Sequence, residues 1–453
     1  EKLARNREKL ARNREKLARN REKLARNREK GARNREKLAR NREKLARNRE
    51  KGALNREKLA RNREKLARNR EEVALNREKL ARNREKLARN REKGARNREK
   101  LARNREKLAR NRLAMKLSLI RGDRMAGKPV VLRDVWRAKK RISSVVKKSP
   151  LIYSPALSDF AGTSVHLKLE NLNVSDSFKI RGATNKILSL TPEERERGVT
   201  TFSTGNFGMS VAYIAKELGI NATICISKRV PKGKVDALKR SGAAIEIFGE
   251  SQDDAEKRSY QLEREQGLTV IHPFDDPYVI AGQGTIGLEI LEDLPEVDTV
   301  IGGLSGGGLH SGLGVALKST DPAIQVVGAS TERGATMYES IQTGNPVIVE
   351  EQNTLADSLL GGIGLNNRYT FHMVQQYVDD IILLNEDEIA EGMGFMLDKH
   401  RMIIEGAAAS GIGAILNNRI KLGKYVVVVI SGCSVDTSVI VDIADKYKST
   451  ILE

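Results

Sequence analysis

Residues 174–183 read VSDSFKIRGA, with Lys179 directly after Phe178 and just before the pair Arg181-Gly182. The stretch follows an apolar, β-branched run over residues 165–170 that reads as a strand. Lys179 is either an ordinary solvated lysine or an amine held in a pocket for covalent chemistry. Ten residues leave both open, and the surrounding chain has to decide.

Around this stretch, short apolar runs alternate with helical patterns. The runs at 165–170, 222–227, 244–248, 299–302, 324–329 and 425–430 predict strands. The periodicity at 210–218, 234–241, 253–265, 281–293 and 386–400 predicts helices between them. Such alternation argues an α/β chain with doubly wound parallel sheets, whose ligands gather at the carboxyl ends of the strands.

Three polar turns fall at such ends. After the strand at 299–302 comes GLSGGGLHSGLG, residues 303–314, in which Ser305, Gly306, Gly307, Gly308 and Leu309 lead into a helix. Consecutive small residues let backbone N–H groups converge on an anion, and a helix N-terminus favours a phosphate there. The turn lacks the Lys-Ser/Thr of a Walker loop and the third glycine of the dinucleotide fingerprint, so it suits a bare phosphate monoester, or else is only a tight turn. The second is FSTGNFGMS, residues 202–210, which offers Ser203, Thr204 and Asn206 at the start of a helix, and whose N–H groups could take a carboxylate. The third is ISGCS, residues 430–434, with Ser431 closing the strand YVVVVI.

Charge divides the chain. The 453 residues hold 82 Lys+Arg against 59 Asp+Glu, a net +23. Residues 1–112 are sixteen copies of EKLARNR, interrupted at Gly31, Gly52, Leu54, Glu72, Val73, Leu75 and Gly94, and carry 45 basic and 17 acidic residues. The other 341 residues are mildly acidic, at −5. Each repeat pairs charges at helical spacing, as Glu15 does with Arg19 and Arg12. One Leu-Ala pair per heptad gives no coiled-coil seam. The repeat is expected to be a charged single helix or disordered, broken near its glycines. A basic arm for nucleic acid is the alternative function class, but the tract has no aromatic residue to stack on bases, and no nucleic-acid partner is expected. Two cysteines, Cys225 and Cys433, supply no disulfide framework, and no apolar run reaches transmembrane length, so a soluble, cytoplasmic protein is expected.

The order SFKIRGA, STGNFG, SGGGL, ISGCSVD over about residues 131–448 resembles the fold-type-II pyridoxal-phosphate enzymes, the tryptophan synthase β-like fold, and most closely their threonine/serine dehydratase and serine racemase branch. The resemblance implies a two-domain catalytic region over residues 113–453 with a smaller domain inserted at about 170–275, and pyridoxal 5'-phosphate as cofactor. It implies that Lys179 carries the cofactor covalently and serves as the base at the substrate Cα, with Phe178 packed against the ring. Asn206 would bond the 3-oxygen, Ser305, Gly306, Gly307, Gly308 and Leu309 the phosphate, and Ser431 the ring nitrogen, which a hydroxyl leaves unprotonated, favouring β-elimination over transamination. The substrate carboxylate would lie on Ser203, Thr204 and the amides of Asn206 and Phe207.

Departures sharpen the expectation. Thr204 stands where racemases of this family carry a second acid/base serine, so racemisation is not expected. Ser330 and Thr336 replace the Glu and Asp of a cation site, so no metal is expected. Phe207 and Met209 stand where dehydratases usually carry His and Gln, which predicts a more apolar pocket. The stretches TLADSLLGGIGLNNRYTF, residues 354–371, and STERGATMYESI, residues 330–341, look like the branch of hydroxyectoine utilisation dehydratases. The resemblance therefore implies a lyase acting on a hydroxylated ectoine-type compound, with L-threonine/L-serine ammonia-lyase as the alternative and a homo-oligomer as the expected assembly.

Overall fold

The structure is a computed structural model that describes residues 1–120, 129–203, 205–230 and 232–448. The chain divides into two compact units, Glu1–Arg98 and Glu99–Glu453.

The repeat is helical, within a helix assigned over Lys2–Ile120. The expected breaks at the glycines do not occur. A glycine inside a helix costs roughly 1 kcal/mol against alanine, a local penalty that ends no helix by itself, and the tract has no proline. Pairs at i,i+4 form where expected, Glu36 with Arg40 at 2.7 Å and Glu57 with Arg61 at 2.7 Å. Leu10, Leu17 and Leu24 stay exposed, in keeping with one apolar position per heptad.

Among its described residues, the second unit contains ten strands. They are β1 (Leu151–Tyr153), β2 (Ser164–Leu169), β3 (Val199–Phe202), β4 (Ala222–Ile226), β5 (Ala244–Ile247), β6 (Thr269–Val270), β7 (Thr299–Gly303), β8 (Gln325–Thr331), β9 (Asp380–Leu384) and β10 (Tyr425–Ile430). One sheet has the order β1-β2-β10-β7-β8-β9, parallel except for β1; the other has the order β5-β4-β3-β6 and is parallel throughout. The central strand β10 reads Val-Val-Val-Val between Tyr425 and Ile430, buried from Val426 onward, as a strand covered on both faces must be. Four strands, β1, β3, β6 and β9, were not expected. The periodicity at 386–400 is helical only over Glu386–Phe395 and ends in a π turn, Met396–His400.

The helix Lys179–Ile187 lies hard against the helix Pro277–Asp293. A Cβ on Gly282 would stand 2.6 Å from the Arg181 carbonyl oxygen, and one on Gly182 2.5 Å from the Gln283 amide, so glycine is what permits this approach. Behind the contact sits a buried charge cluster. Arg181 donates to Glu170 at 2.7 Å and to Glu289 at 2.6 Å, and Lys168 donates to Glu289 at 2.7 Å. The cluster ties β2 and both helices together two residues beyond Lys179.

Candidate active site

Lys179 opens its helix because the preceding segment is pinned to the end of β10. Ser177 pairs with Gly432 in an isolated antiparallel bridge, and the Phe178 N–H donates to the Ser431 carbonyl at 3.0 Å. That junction brings SFKIRGA and ISGCS side by side. Phe178, Lys179, Ser203, Asn206, Phe207, Ser305, Gly306, Gly307, Gly308, Leu309 and Ser431 all line one pocket. Thr204 lies outside the described residues. Met209 does not line the pocket; one turn along its helix from Asn206, it packs instead against the core cluster that contains Val211, Ile214 and Ile224.

The glycine turn presents donors. Gly307 has φ +86°, the left-handed conformation that glycine adopts without strain, and the helix Gly308–Thr320 starts immediately after it. Among the described residues, no acceptor takes the backbone N–H groups from Ser305 to Leu309. They converge at a helix N-terminus, an arrangement suited to a phosphate. Phe274 backs the turn so closely that a Cβ on Gly306 would fall 2.5 Å from its ring.

In the second turn, Ser203 has backbone partners of its own. Its hydroxyl oxygen accepts from the Gly205 and Gly208 N–H groups, each at 3.0 Å, so Ser203 caps the helix Asn206–Glu217 and keeps only its O–H proton for a ligand. The N–H groups of Asn206 and Phe207 have no partner among the described residues.

The amine of Lys179 has no hydrogen-bond or ion-pair partner among the described residues, and the Phe178 ring centre is 5.2 Å away. Desolvation pushes the amine down to about 8, against the opposing pull of the Glu405 carboxylate. A desolvated amine near 8 is partly neutral at physiological pH, which is what a nucleophile or base requires.

Sequence reasoning missed Glu405, Ser358, Gln283 and His310, all in the pocket wall. Glu405 is buried, with both carboxylate oxygens 2.9 Å from the Asn206 Nδ2, and burial pushes its carboxyl above the ordinary range. Its signal in the sequence was an acidic residue within the apolar stretch IIEGAAASGIGAIL, residues 403–416. His310, also buried, is held down to about 4 by burial, with its Nε2 at 3.2 Å from the Val327 carbonyl. Its folded value lies below the unfolded one, so the unfolded chain binds the extra proton and stability falls with acidification from about pH 6.5 towards 4. Thermal melting across that window is expected to show a steeper loss in the parent than in His310→Gln; parallel curves would remove His310 from the account.

A family model, pyridoxal-phosphate dependent enzyme, matches residues 142–432. The chain belongs to that family. It is 47% identical over 306 residues, 67% of this chain and 92% of the other, to a Sinorhizobium fredii protein named only provisionally as a threonine dehydratase. It is 41% identical over 317 residues, 70% of this chain and 79% of the other, to the L-threonine ammonia-lyase of Thermotoga maritima. Among solved structures, maize serine racemase superposes with a TM-score of 0.66 at 30% identity, covering 72% of this chain and 100% of that one.

The family's cofactor is pyridoxal phosphate, and the pocket fits it: a free row of N–H groups for the phosphate, an unpaired amine for the aldehyde, and a buried Asn206 Oδ1 that has no partner among the described residues. None of the helices searched among the described residues is long and apolar enough to cross a membrane.

Proposed function

We propose that this enzyme is a lyase that deaminates a hydroxylated amino acid of the threonine and serine class by β-elimination of water followed by hydrolysis. The observation that carries the reading is the unpaired, desolvated Lys179 amine opposite the glycine turn, in a chain akin to an L-threonine ammonia-lyase. Pyridoxal phosphate, when bound, supplies the electron sink that makes the substrate Cα–H acidic.

The N–H groups from Ser305 to Leu309 would hold its phosphate, Asn206 would bond its 3-oxygen, and Phe178 would pack against its ring. Ser431 would offer the ring nitrogen a hydroxyl rather than a carboxylate, which would leave that nitrogen unprotonated and favour loss of a β-substituent. The Asn206 and Phe207 N–H groups, with the Ser203 and Thr204 hydroxyls, hold the substrate carboxylate. Lys179 Nζ takes the Cα proton and hands it to the departing β-hydroxyl, which leaves as water; the unsaturated amine hydrolyses to a keto acid and ammonia. Thr204 replaces the serine that racemases of this family carry, so racemisation is not expected. The catalytic region is residues 113–453, with the smaller domain at about 170–275, in a cytoplasmic homo-oligomer.

A second reading, a hydroxylated ectoine-type substrate, is favoured by one observation. The stretch 354–371 is not peripheral: Ser358, Leu359, Leu360 and Gly362 line the pocket with Phe207. Apolar walls reward a substrate with more hydrocarbon, and exchanging a polar partner for an apolar one costs roughly 1–3 kcal/mol, enough to shift preference by one or two orders of magnitude. Comparison of kcat/KM for threonine, serine and hydroxyectoine, with ammonia or dehydrated product as readout, separates the readings. Ammonia from threonine or serine is the expected result. A preference of about tenfold or more for hydroxyectoine would establish the second reading; turnover of none of the three would sink both.

A further inference from the structure

A chain of side chains crosses the pocket wall and ends on Asn206. Lys234 donates to the Asp357 carboxylate at 2.7 Å, and Ser358 Oγ lies 3.4 Å from Asp357 and 3.3 Å from Glu405. Glu405 then takes the Asn206 Nδ2 on both oxygens at 2.9 Å. The two ends, Lys234 and Asn206, belong to helices beside the four-stranded sheet, Lys232–Ser241 and Asn206–Glu217. The middle, Asp357, Ser358 and Glu405, belongs to segments that follow strands β8 and β9 of the other sheet.

A carboxylate only accepts hydrogen bonds, so an ionised Glu405 fixes which way the Asn206 amide turns. The amino group faces Glu405, with Ser358 Oγ 3.5 Å from the same nitrogen, and Oδ1 is the end without a partner among the described residues. An asparagine held in this way cannot exchange its donor and acceptor ends as the protonation of a ligand changes. The titratable groups around Glu405 come from separate elements: Lys179 from its helix, Lys234 and Asp357 through the chain just described, and the Cys433 thiol, pushed up to about 11 by burial, from the turn after β10. Lys234 pairs with Asp357 and also draws the Glu405 carboxyl down, while the Lys179 amine feels the Glu405 charge from its own helix.

We propose that Glu405 is a positioning residue that acts through Asn206, fixing the amide against the cofactor's 3-oxygen, and that Asp357 and Ser358 beside it, with Lys234 from the opposite sheet, hold it in place. The inference rests on the proposed cofactor site. Glu405→Gln keeps the shape but can turn either its own oxygen or its own nitrogen to Asn206, so the amide is no longer fixed. Glu405→Asp keeps the charge on a shorter arm, and Lys234→Met cuts the far end.

The test is the visible absorbance of the bound cofactor titrated with pH, alongside kcat and KM. Glu405→Gln is expected to shift the midpoint of that titration and to lower kcat by about a hundredfold with little change in KM, the scale expected when a reacting group is misplaced. Glu405→Asp is expected to recover part of both effects. Lys234→Met is expected to move the midpoint in the same direction as Glu405→Gln, by less. Superimposable titrations in parent, Glu405→Gln and Lys234→Met, with kcat within about twofold, would overturn the role of Glu405. So would an equal loss of bound cofactor and thermal stability without a spectral shift, the mark of a merely structural residue. If the parent shows no cofactor absorbance at all, the proposed site fails instead.

Discussion

Lys179→Ala is expected to abolish turnover and the visible band of covalently held cofactor while leaving the chain folded. Both effects follow from one atom. The Nζ lies desolvated in the pocket with no ion pair among the described residues, so no other described group shares its task. Removing a general base from an elimination slows it by about 10²–10⁴-fold, and loss of the covalent anchor adds to that. The stability effect runs the other way: a desolvated amine with no partner contributes little to folding, so the melting temperature is expected to hold or rise. A variant that melts far below the parent would show Lys179 to be structural. One that keeps its turnover would place the chemistry on another residue.

Glu289→Ala is expected to give the largest loss of stability. It strips Lys168 of its carboxylate partner and Arg181 of one of two, and both cations are fully buried. Breaking a buried ion pair by removing one partner costs about 3–5 kcal/mol, because the charge left behind has no water to solvate it. Burial already pushes the Lys168 amine below the ordinary lysine range, with Glu289 and Glu170 opposing that shift, so removal of Glu289 is expected to push it lower still. Denaturant unfolding measures the loss; a change under about 1 kcal/mol would mean that water or rearrangement replaces the carboxylate. Because the cluster sits two residues beyond Lys179 and braces its helix, a fall in turnover is expected even where the variant stays folded.

The parts of the fold that sequence periodicity revealed are those where one physical signal dominates. The strand YVVVVI is buried through Val426–Ile430 and reads as an unbroken apolar run, so its limits are matched residue for residue by β10. Strand β3 was missed because VTTF carries two threonines in four residues, although all four are buried; Thr201 donates to the Ile271 carbonyl at 2.7 Å and Thr200 lies 3.1 Å from the Ser259 hydroxyl. Neither partner is visible from local pattern. Strand β9 starts at a buried aspartate, Asp380, which local polarity assigns to a loop.

In the site, glycine turns and a lysine beside a strand end could be read directly, because backbone geometry and residue type carry their chemistry. Glu405 could not, since a carboxylate in an apolar helix start gains its meaning only from Asn206 and Ser358, which arrive from distant parts of the chain. Met209 was misplaced because the resemblance that set it where dehydratases carry Gln does not decide where its own apolar side chain packs.

The most direct measurement is reduction of the purified protein with borohydride, followed by proteolysis and mapping of the peptide that retains the cofactor. The account expects one labelled site, at Lys179 within SFKIRGA. A label on Lys168, Lys234 or any other lysine, or no label in a protein that turns over substrate, would contradict it.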